Sequence, residues 1–146
     1  MELCHRLAAV TIGLHTSARG FELVSEEKAL PTALLNLVCL RASQVQASAA
    51  CIARYWGELR EAGESEHRLY LLDAWREAAV FTKRERAALA FTESLLCVTH
   101  RSPRPSSDRD LIEHLTASEQ LELTRAITRV TSWNRLGIAF PHADAA

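Results

Sequence analysis

Residues 31–63 read PTALLNLVCLRASQVQASAACIARYWGELREAG, and this stretch decides the fold because it encodes two consecutive helices. Pro31 suits the first turn of a helix, where its missing N–H costs no hydrogen bond, and apolar residues then recur at helical spacing. After a break near Gln46, Ser48 is a typical N-cap residue, and Gly63 stands where helices commonly end in the left-handed conformation. The predicted bounds are 31–44 for the first helix and 48–62 for the second.

Helical signals also flank this stretch on both sides. An amphipathic segment, Leu3–Ser17, precedes it, and Ser65 starts a short helix after it. Two capping boxes follow. In each box, a Thr and the Glu three residues later accept hydrogen bonds from each other's backbone N–H. Thr82 and Glu85 form the first box, which opens a helix to about Thr99; Thr116 and Glu119 form the second, which opens the longest helix, to about Phe140.

Between the two capped helices, the residues 101–107 contain two prolines and predict a loop, followed by a short helix over 107–115. No segment alternates apolar and polar residues as a half-buried strand does. The sequence therefore predicts one all-α domain over 1–146, a compact bundle of six to seven helices.

Composition and charge exclude several classes of function. The 146 residues carry 17 Lys and Arg against 18 Asp and Glu, so no basic excess is available to neutralise the phosphates of a nucleic acid. Hydrophobic residues make up 48%, which excludes a disordered chain. No apolar run approaches the length of about 18 residues that a membrane span needs. We expect a globular protein with neither a nucleic acid nor a membrane as partner.

The four cysteines, Cys4, Cys39, Cys51 and Cys97, are widely spaced and form no C-x-x-C motif. No pair of His or Cys residues has the spacing of a zinc site. We therefore expect no metal and no cofactor, and a reducing cytoplasm as the location.

Cys51 is the cysteine whose position indicates reactivity. Ser48, Cys51 and Tyr55 share one face near the start of their helix. Unpaired N–H groups and the helix dipole favour a thiolate there, which is the form that attacks peroxides and disulfides. The alternative is that Cys51 is a small buried apolar residue, as most free cysteines are, and position alone favours this alternative.

Several short blocks of the sequence point to a known family. They are L-R-A-S-Q at 40–44, C-I at 51–52, E-A-G-E at 61–64, D-A-W-R-E at 73–77, R-E-R-A-A-L-A at 84–90 and S-W-N-R-L at 132–136. In this order they resemble the carboxymuconolactone decarboxylase superfamily, with the alkylhydroperoxidase D-like proteins as the nearest branch. The resemblance covers about 31–140, and residues 1–30 form a divergent N-terminal helix and connection. It implies an all-helical fold that assembles as dimers, trimers or hexamers.

The resemblance also implies a redox site with the pattern Glu-x11-Cys-x-x-Cys-x-x-x-His. In that site the second cysteine meets the peroxide, the first resolves it as a disulfide, and Glu and His relay protons. A dithiol partner, in some members a lipoyl protein, then reduces the disulfide. In this chain the pattern falls on Asn36, Ser48, Cys51 and Tyr55, so the site is degenerate and only Cys51 is retained.

The replacements remove three parts of the cycle. Asn36 cannot transfer a proton near neutral pH, and Ser48 cannot form a disulfide. Tyr55 is a poor base at pH 7, because the ordinary pKa of a tyrosine is about 10. Cys39 lies one turn after Asn36 and is a candidate resolving cysteine if it approaches Cys51 from the facing helix.

Three functions stay open from the sequence. The first is a peroxiredoxin-like antioxidant, an oxidoreductase that acts through Cys51 and is regenerated by an external dithiol or small thiol. The second is a non-redox, decarboxylase-like enzyme or small-molecule binder with a cavity near Asn36, Ser48 and Tyr55. The third is a catalytically silent oligomeric scaffold.

Two further groups of residues predict packing. Arginines of the matched blocks are expected to hold buried carboxylates: Arg41, Arg76 and Arg135 as the cations, Glu77 or Glu93 as the anions. The end of the last helix is apolar on nearly every side, through Val130, Trp133, Leu136, Ile138 and Phe140. A helix of that kind needs burial on several sides. We therefore expect a homo-oligomer, from a dimer to a hexamer.

Overall fold

A computed structural model describes residues 29–96 and 105–139 of the chain. Every regular element within these ranges is helical, which confirms the predicted all-α fold. The elements are α1 (Thr32–Val45), α2 (Ala49–Glu61), α3 (Glu66–Leu71), a 3₁₀ turn (Leu72–Ala74), α4 (Lys83–Leu96), α5 (Pro105–His114) and α6 (Ala117–Ala139). The predictions for the helix Leu3–Ser17 and for Cys4, Cys97 and Phe140 lie outside the described residues.

Both predicted capping boxes are confirmed, and they fix where the two long helices begin. Thr82 N–H donates to Glu85 over 2.8 Å, and Glu85 N–H donates back to the Thr82 hydroxyl over 3.2 Å. The same reciprocal pair joins Thr116 and Glu119, with distances of 2.8 and 3.3 Å. Each box satisfies two N–H groups that a helix start otherwise leaves unpaired.

The predicted end of the loop over 101–107 is wrong, because α5 begins at Pro105. The physical reason is the preference of proline for the first helical turn, where its fixed φ is already suitable and its missing N–H is not needed. The same property of proline correctly placed Pro31 at the start of α1, where it occupies the N-cap position.

Helix α1 is central, since it packs against α2, α4 and α6. Its two buried faces enter different hydrophobic clusters. Leu37 and Leu40 join the cluster that includes Tyr55 and Leu59 of α2, while the opposite face joins a second cluster with α4, α5 and α6. Because α2 is held mainly through α1, the position of Cys51 depends on how these two helices meet.

Some apolar residues of helix α6 are buried in the core and others are exposed to solvent. Val130 is fully buried, whereas Leu121 and Ile138 are 52% and 54% exposed. The exposed side chains fit the expected homo-oligomer, which stays a prediction. None of the described helices has both the length and the apolar character needed to cross a membrane.

Candidate functional site

The four positions of the family's redox pattern lie on the facing helices α1 and α2, but they differ in burial. Asn36 lies on α1 and is half-buried. Ser48, immediately before α2, and Tyr55, in its second turn, are buried with 3% and 5% exposure. Cys51 is the third residue of α2 and is half-buried, next to the exposed Ala50.

Cys39 and Tyr55 form a direct link between the two helices. Tyr55 and Cys39 lie side by side in one hydrophobic cluster, and each side chain perturbs the pKa of the other. Burial raises the pKa of Cys39 to about 11, although the neighbouring Tyr55 opposes the shift. Burial, and then the neighbouring Cys39, also raises the pKa of Tyr55. Both groups are therefore neutral at physiological pH.

This pairing limits what either residue can do in catalysis. A protonated Cys39 thiol is a weak nucleophile, since the thiolate is the reactive form. A protonated Tyr55 cannot accept a proton from Cys51 or from a substrate. Cys39 and Cys51 are both free thiols in the structure. The role of Cys39 as resolving cysteine stays a prediction that its burial and raised pKa disfavour.

Ser48 occupies the N-cap position of α2, as predicted, but its side chain forms no capping hydrogen bond. Ser48 is buried, with 3% exposure. Ser65, at the N-cap of α3, behaves in the usual way and accepts a bond from Arg68 N–H over 3.2 Å. The first-turn N–H groups of α2 are thus left uncapped by Ser48, beside the Cys51 thiol.

The turn from α1 to α2 is a Schellman motif with an unusual residue in it. Ser48 N–H donates to Ser43 O over 3.0 Å, and Ala47 N–H donates to Gln44 O over 3.1 Å. The motif requires a positive φ at the residue after the helix C-cap, and here that residue is Ala47, with φ of 55°. Helix α2 ends in the same motif, but there the position is filled by Gly63, with φ of 88°.

A buried polar network braces this turn from α6. The side chain of Asn134 is fully buried, and its Nδ2 donates to Gln46 Oε1 over 2.7 Å. Its Oδ1 lies 3.2 Å from Ser43 Oγ, which also lies 2.8 Å from the carbonyl oxygen of Cys39. Ser43 and Asn134 were in matched sequence blocks, yet nothing in the sequence assigned them a role, because their partners lie 88 and 91 residues apart along the chain.

A charged side chain on the same helix, Arg54, lies near Cys51. Arg54 interacts electrostatically with Cys51 and Tyr55 and holds Glu58 in an ion pair of 2.8 Å. Its guanidinium carbon lies 5.5 Å from the centre of the Tyr55 ring. The hydrogen bond to Glu58 raises the pKa of Arg54. Burial lowers this pKa, but by less. A permanent cation therefore lies close to the thiol.

The predicted ion pairs are confirmed for Arg41, Arg76 and Glu93. Glu93 accepts from Arg41 Nε over 2.8 Å, from Arg76 Nη1 over 2.6 Å and from Trp75 Nε1 over 2.8 Å. Burial alone would raise the pKa of Glu93, but these three donors outweigh it and lower the pKa. The network joins α1, the segment after α3, and α4, and it occupies the arginines that could otherwise bind an anion.

Glu77 and Arg135 are the other members of the predicted ion pairs. Both are exposed, so Glu93 is the alternative of the two carboxylates that the structure supports, and the pairing of Arg135 stays a prediction. Their positions, just after the 3₁₀ turn and late in α6, place them on the solvent side of their segments. Across the two described ranges, no group of three or more His, Cys, Asp or Glu side chains could hold a metal ion.

Comparison with known proteins gives consistent likenesses. A model of the carboxymuconolactone decarboxylase family matches residues 15–94. An uncharacterized protein of Bacillus subtilis strain 168, YdfG, is 30% identical over 110 residues, which are 75% of each chain. A protein of unknown function from Agrobacterium tumefaciens, provisionally named an antioxidant defence protein AhpD, has a crystal structure that matches with a TM-score of 0.76. That match has 26% identity and covers 91% of this chain and 86% of the other.

Proposed function

The chain belongs to the carboxymuconolactone decarboxylase family, and from this premise we propose that it is an antioxidant of the AhpD-like type that reacts with hydroperoxides through Cys51. One observation carries the proposal. Of the two cysteines that the structure describes, Cys51 alone combines partial exposure with a place in the first turn of a helix that lacks a side-chain cap. The name of the Agrobacterium protein supports the antioxidant class.

The proposed oxidation is a single displacement. The Cys51 thiolate attacks one oxygen of the hydroperoxide, so that an S–O bond forms while the O–O bond breaks. The departing alkoxide takes a proton from water and leaves as an alcohol. Cys51 is then a sulfenic acid, oxidised by two electrons, and the peroxide is reduced by two electrons.

Recovery requires a reductant from outside the chain, since Ser48 cannot form a disulfide with Cys51. We propose a small monothiol for this role. The first equivalent condenses with the sulfenic acid to give a mixed disulfide and water. The second attacks that disulfide, releases the oxidised reductant and restores the Cys51 thiol.

The proposed reaction is slow relative to a complete two-cysteine site. Asn36 is not a base, and the raised pKa of Tyr55 keeps its hydroxyl protonated. General acid–base help is commonly worth about 10²–10⁴-fold, and these positions do not supply it. The start of α2 and the Arg54 guanidinium are the positive features that the structure places beside Cys51.

Sulfenic acid trapping tests the proposal directly. In a Cys4→Ser, Cys97→Ser background, the protein should be treated with one equivalent of a hydroperoxide and a dimedone probe, and the adduct located by mass spectrometry. We expect the adduct on Cys51, unchanged by Cys39→Ser and lost with Cys51→Ser. An unmodified Cys51 in folded protein would overturn the proposal and favour the silent scaffold.

We also propose a homo-oligomer in a reducing compartment such as the cytoplasm. The exposed apolar side chains of Ile112, Leu121 and Ile138 support assembly, and the two free thiols support the compartment. An obligate interface should bury upward of about 2,000 Å². Sedimentation of the protein at micromolar concentration as a 16.3 kDa species would refute the oligomer.

A further inference from the structure

We propose that Asn134 is a positioning residue for Cys51, acting through Gln46 and Ser43 on the turn that orients the start of α2. The proposal rests on the proposed function in that Cys51 is taken as the reacting thiol. Asn134 itself is not assigned any contact with the substrate.

The first step of the argument is the burial of Asn134. An amide that is fully removed from solvent requires hydrogen-bond partners, because an unpaired buried polar group is costly. Both ends of this amide are used, one by Gln46 and the other by Ser43. These two residues flank the last turn of α1, so the bonds tie α6 to the point at which α1 ends.

The second step is the strain in the turn. A non-glycine residue in the left-handed region is held there only where its surroundings impose the conformation. Ala47 is exposed and has no side chain that could fix it. Asn134 binds the side chain of Gln46, which precedes Ala47. The backbone carbonyl of Ser43 accepts from the N–H of Ser48, which follows Ala47. The network thus restrains the turn on both sides of Ala47.

The third step connects the turn to the thiol. Ser48 N–H bonds back to Ser43 O, and Ile52 N–H bonds to Ser48 O over 2.9 Å. Cys51 precedes Ile52, so two successive backbone hydrogen bonds separate the buried network from the first turn of α2. The effect of a helix terminus on a charge falls off within one turn. A small displacement of this turn therefore changes how strongly its N–H groups stabilise a thiolate at Cys51.

Alkylation of Cys51 by iodoacetamide provides the test, in the Cys4→Ser, Cys97→Ser background with Cys39→Ser added. Asn134→Leu removes the amide while filling most of its volume, and Gln46→Ala cuts the same link from the half-buried end. Each should slow alkylation at pH 7 by about two- to fivefold, which is the size of a helix-terminus effect. The half-maximal rate should also move to higher pH.

A matched control and a double variant separate positioning from loss of stability. Thr92 is also fully buried, and its hydroxyl donates to Ala88 O within α4, so Thr92→Val removes a buried hydrogen bond away from the turn. We expect this variant to alkylate as the parent does. The double variant Asn134→Leu, Gln46→Ala should be no slower than the slower single variant, because both changes break one connection.

The outcomes distinguish this inference from the proposed function. Wild-type rates and an unchanged pH profile in folded Gln46→Ala protein would overturn the positioning role, even if Asn134→Leu failed to fold. Alkylation reports on the surroundings of Cys51 whether or not a hydroperoxide oxidises it. A protein that shows the alkylation effects but no sulfenic acid adduct would refute the proposed function and leave the positioning role intact.

Discussion

Exchanging Ala47 for glycine should stabilise the protein, although it removes a methyl group. Ala47 is the single non-glycine residue with positive φ among the described residues, at 55°. The left-handed conformation costs an L-residue about 1–2 kcal/mol. Glycine escapes this cost but loses about 0.5–1 kcal/mol more backbone entropy on folding. Since Ala47 is exposed and contributes nothing to the core, the difference predicts a gain of about 0.5–1 kcal/mol in the free energy of unfolding.

Gly63→Ala is the mirror-image variant and the control. Gly63 fills the same position of the same motif at the end of α2, with φ of 88°. A Cβ atom added there would meet nothing within 4 Å, so the cost is one of backbone conformation alone. We expect this variant to lose about 1 kcal/mol.

Urea unfolding followed by tryptophan fluorescence measures both changes, at one fixed protein concentration because assembly of subunits adds to apparent stability. The midpoint should rise for Ala47→Gly and fall for Gly63→Ala, with unchanged slopes. The reasoning would be refuted if Gly63→Ala destabilised as expected while Ala47→Gly destabilised as well. That result would mean that Ala47 is not strained and that its methyl group stabilises the turn.

Further predictions concern the partly buried carboxylate of Glu93 and the degenerate redox site. Glu93→Gln should destabilise the protein by about 1–3 kcal/mol at pH 7, since it weakens a partly buried ion pair with Arg41. Because the pKa of Glu93 is lowered in the folded state, its contribution is complete above about pH 4.3 and is lost as the pH falls further, so urea midpoints of wild type and variant should converge in acid. The wild-type protein should not turn over peroxide with a lipoyl-type dithiol as the reductant. The triple variant Asn36→Glu, Ser48→Cys, Tyr55→His should turn it over. Steady-state loss of peroxide measures both. Ser48→Cys alone should form a disulfide with Cys51 but run about 10²–10⁴-fold slower than the triple variant; equal rates would show that acid–base help is not what the site lacks.

Local signals in the sequence were sufficient to predict where most helices begin and end. The boxes at Thr82 and Thr116 and the glycine at position 63 act within a few residues of chain, so their effect can be read without knowing the fold. The start of α5 was wrong because two signals at Pro105 competed, the loop character of proline and its fit to a first helical turn.

The candidate site was harder to predict because its hydrogen bonds connect distant segments. Ser48 satisfies the local rule for a cap, yet in the folded protein it is buried and its side chain forms no capping bond. The contacts of Asn134 with Gln46 and Ser43 depend on how α6 crosses the end of α1. The proximity of Tyr55 and Cys39 depends in the same way on the packing of α2 against α1. No spacing along a single chain reveals such pairs.

The replacements at the family's redox positions have a common physical consequence. A Glu and a His that relay protons must change charge, and charged side chains are costly to bury. Here the buried partner of Cys39 is a tyrosine, and the pair stays neutral because burial raises both pKa values. Such a pair can fill the core between α1 and α2, whereas a proton relay needs groups that titrate near neutral pH. Cys51, in contrast, lies partly exposed at the start of α2, against the edge of this core. For this reason we assign the chemistry to Cys51 alone and its orientation to the buried network behind the turn.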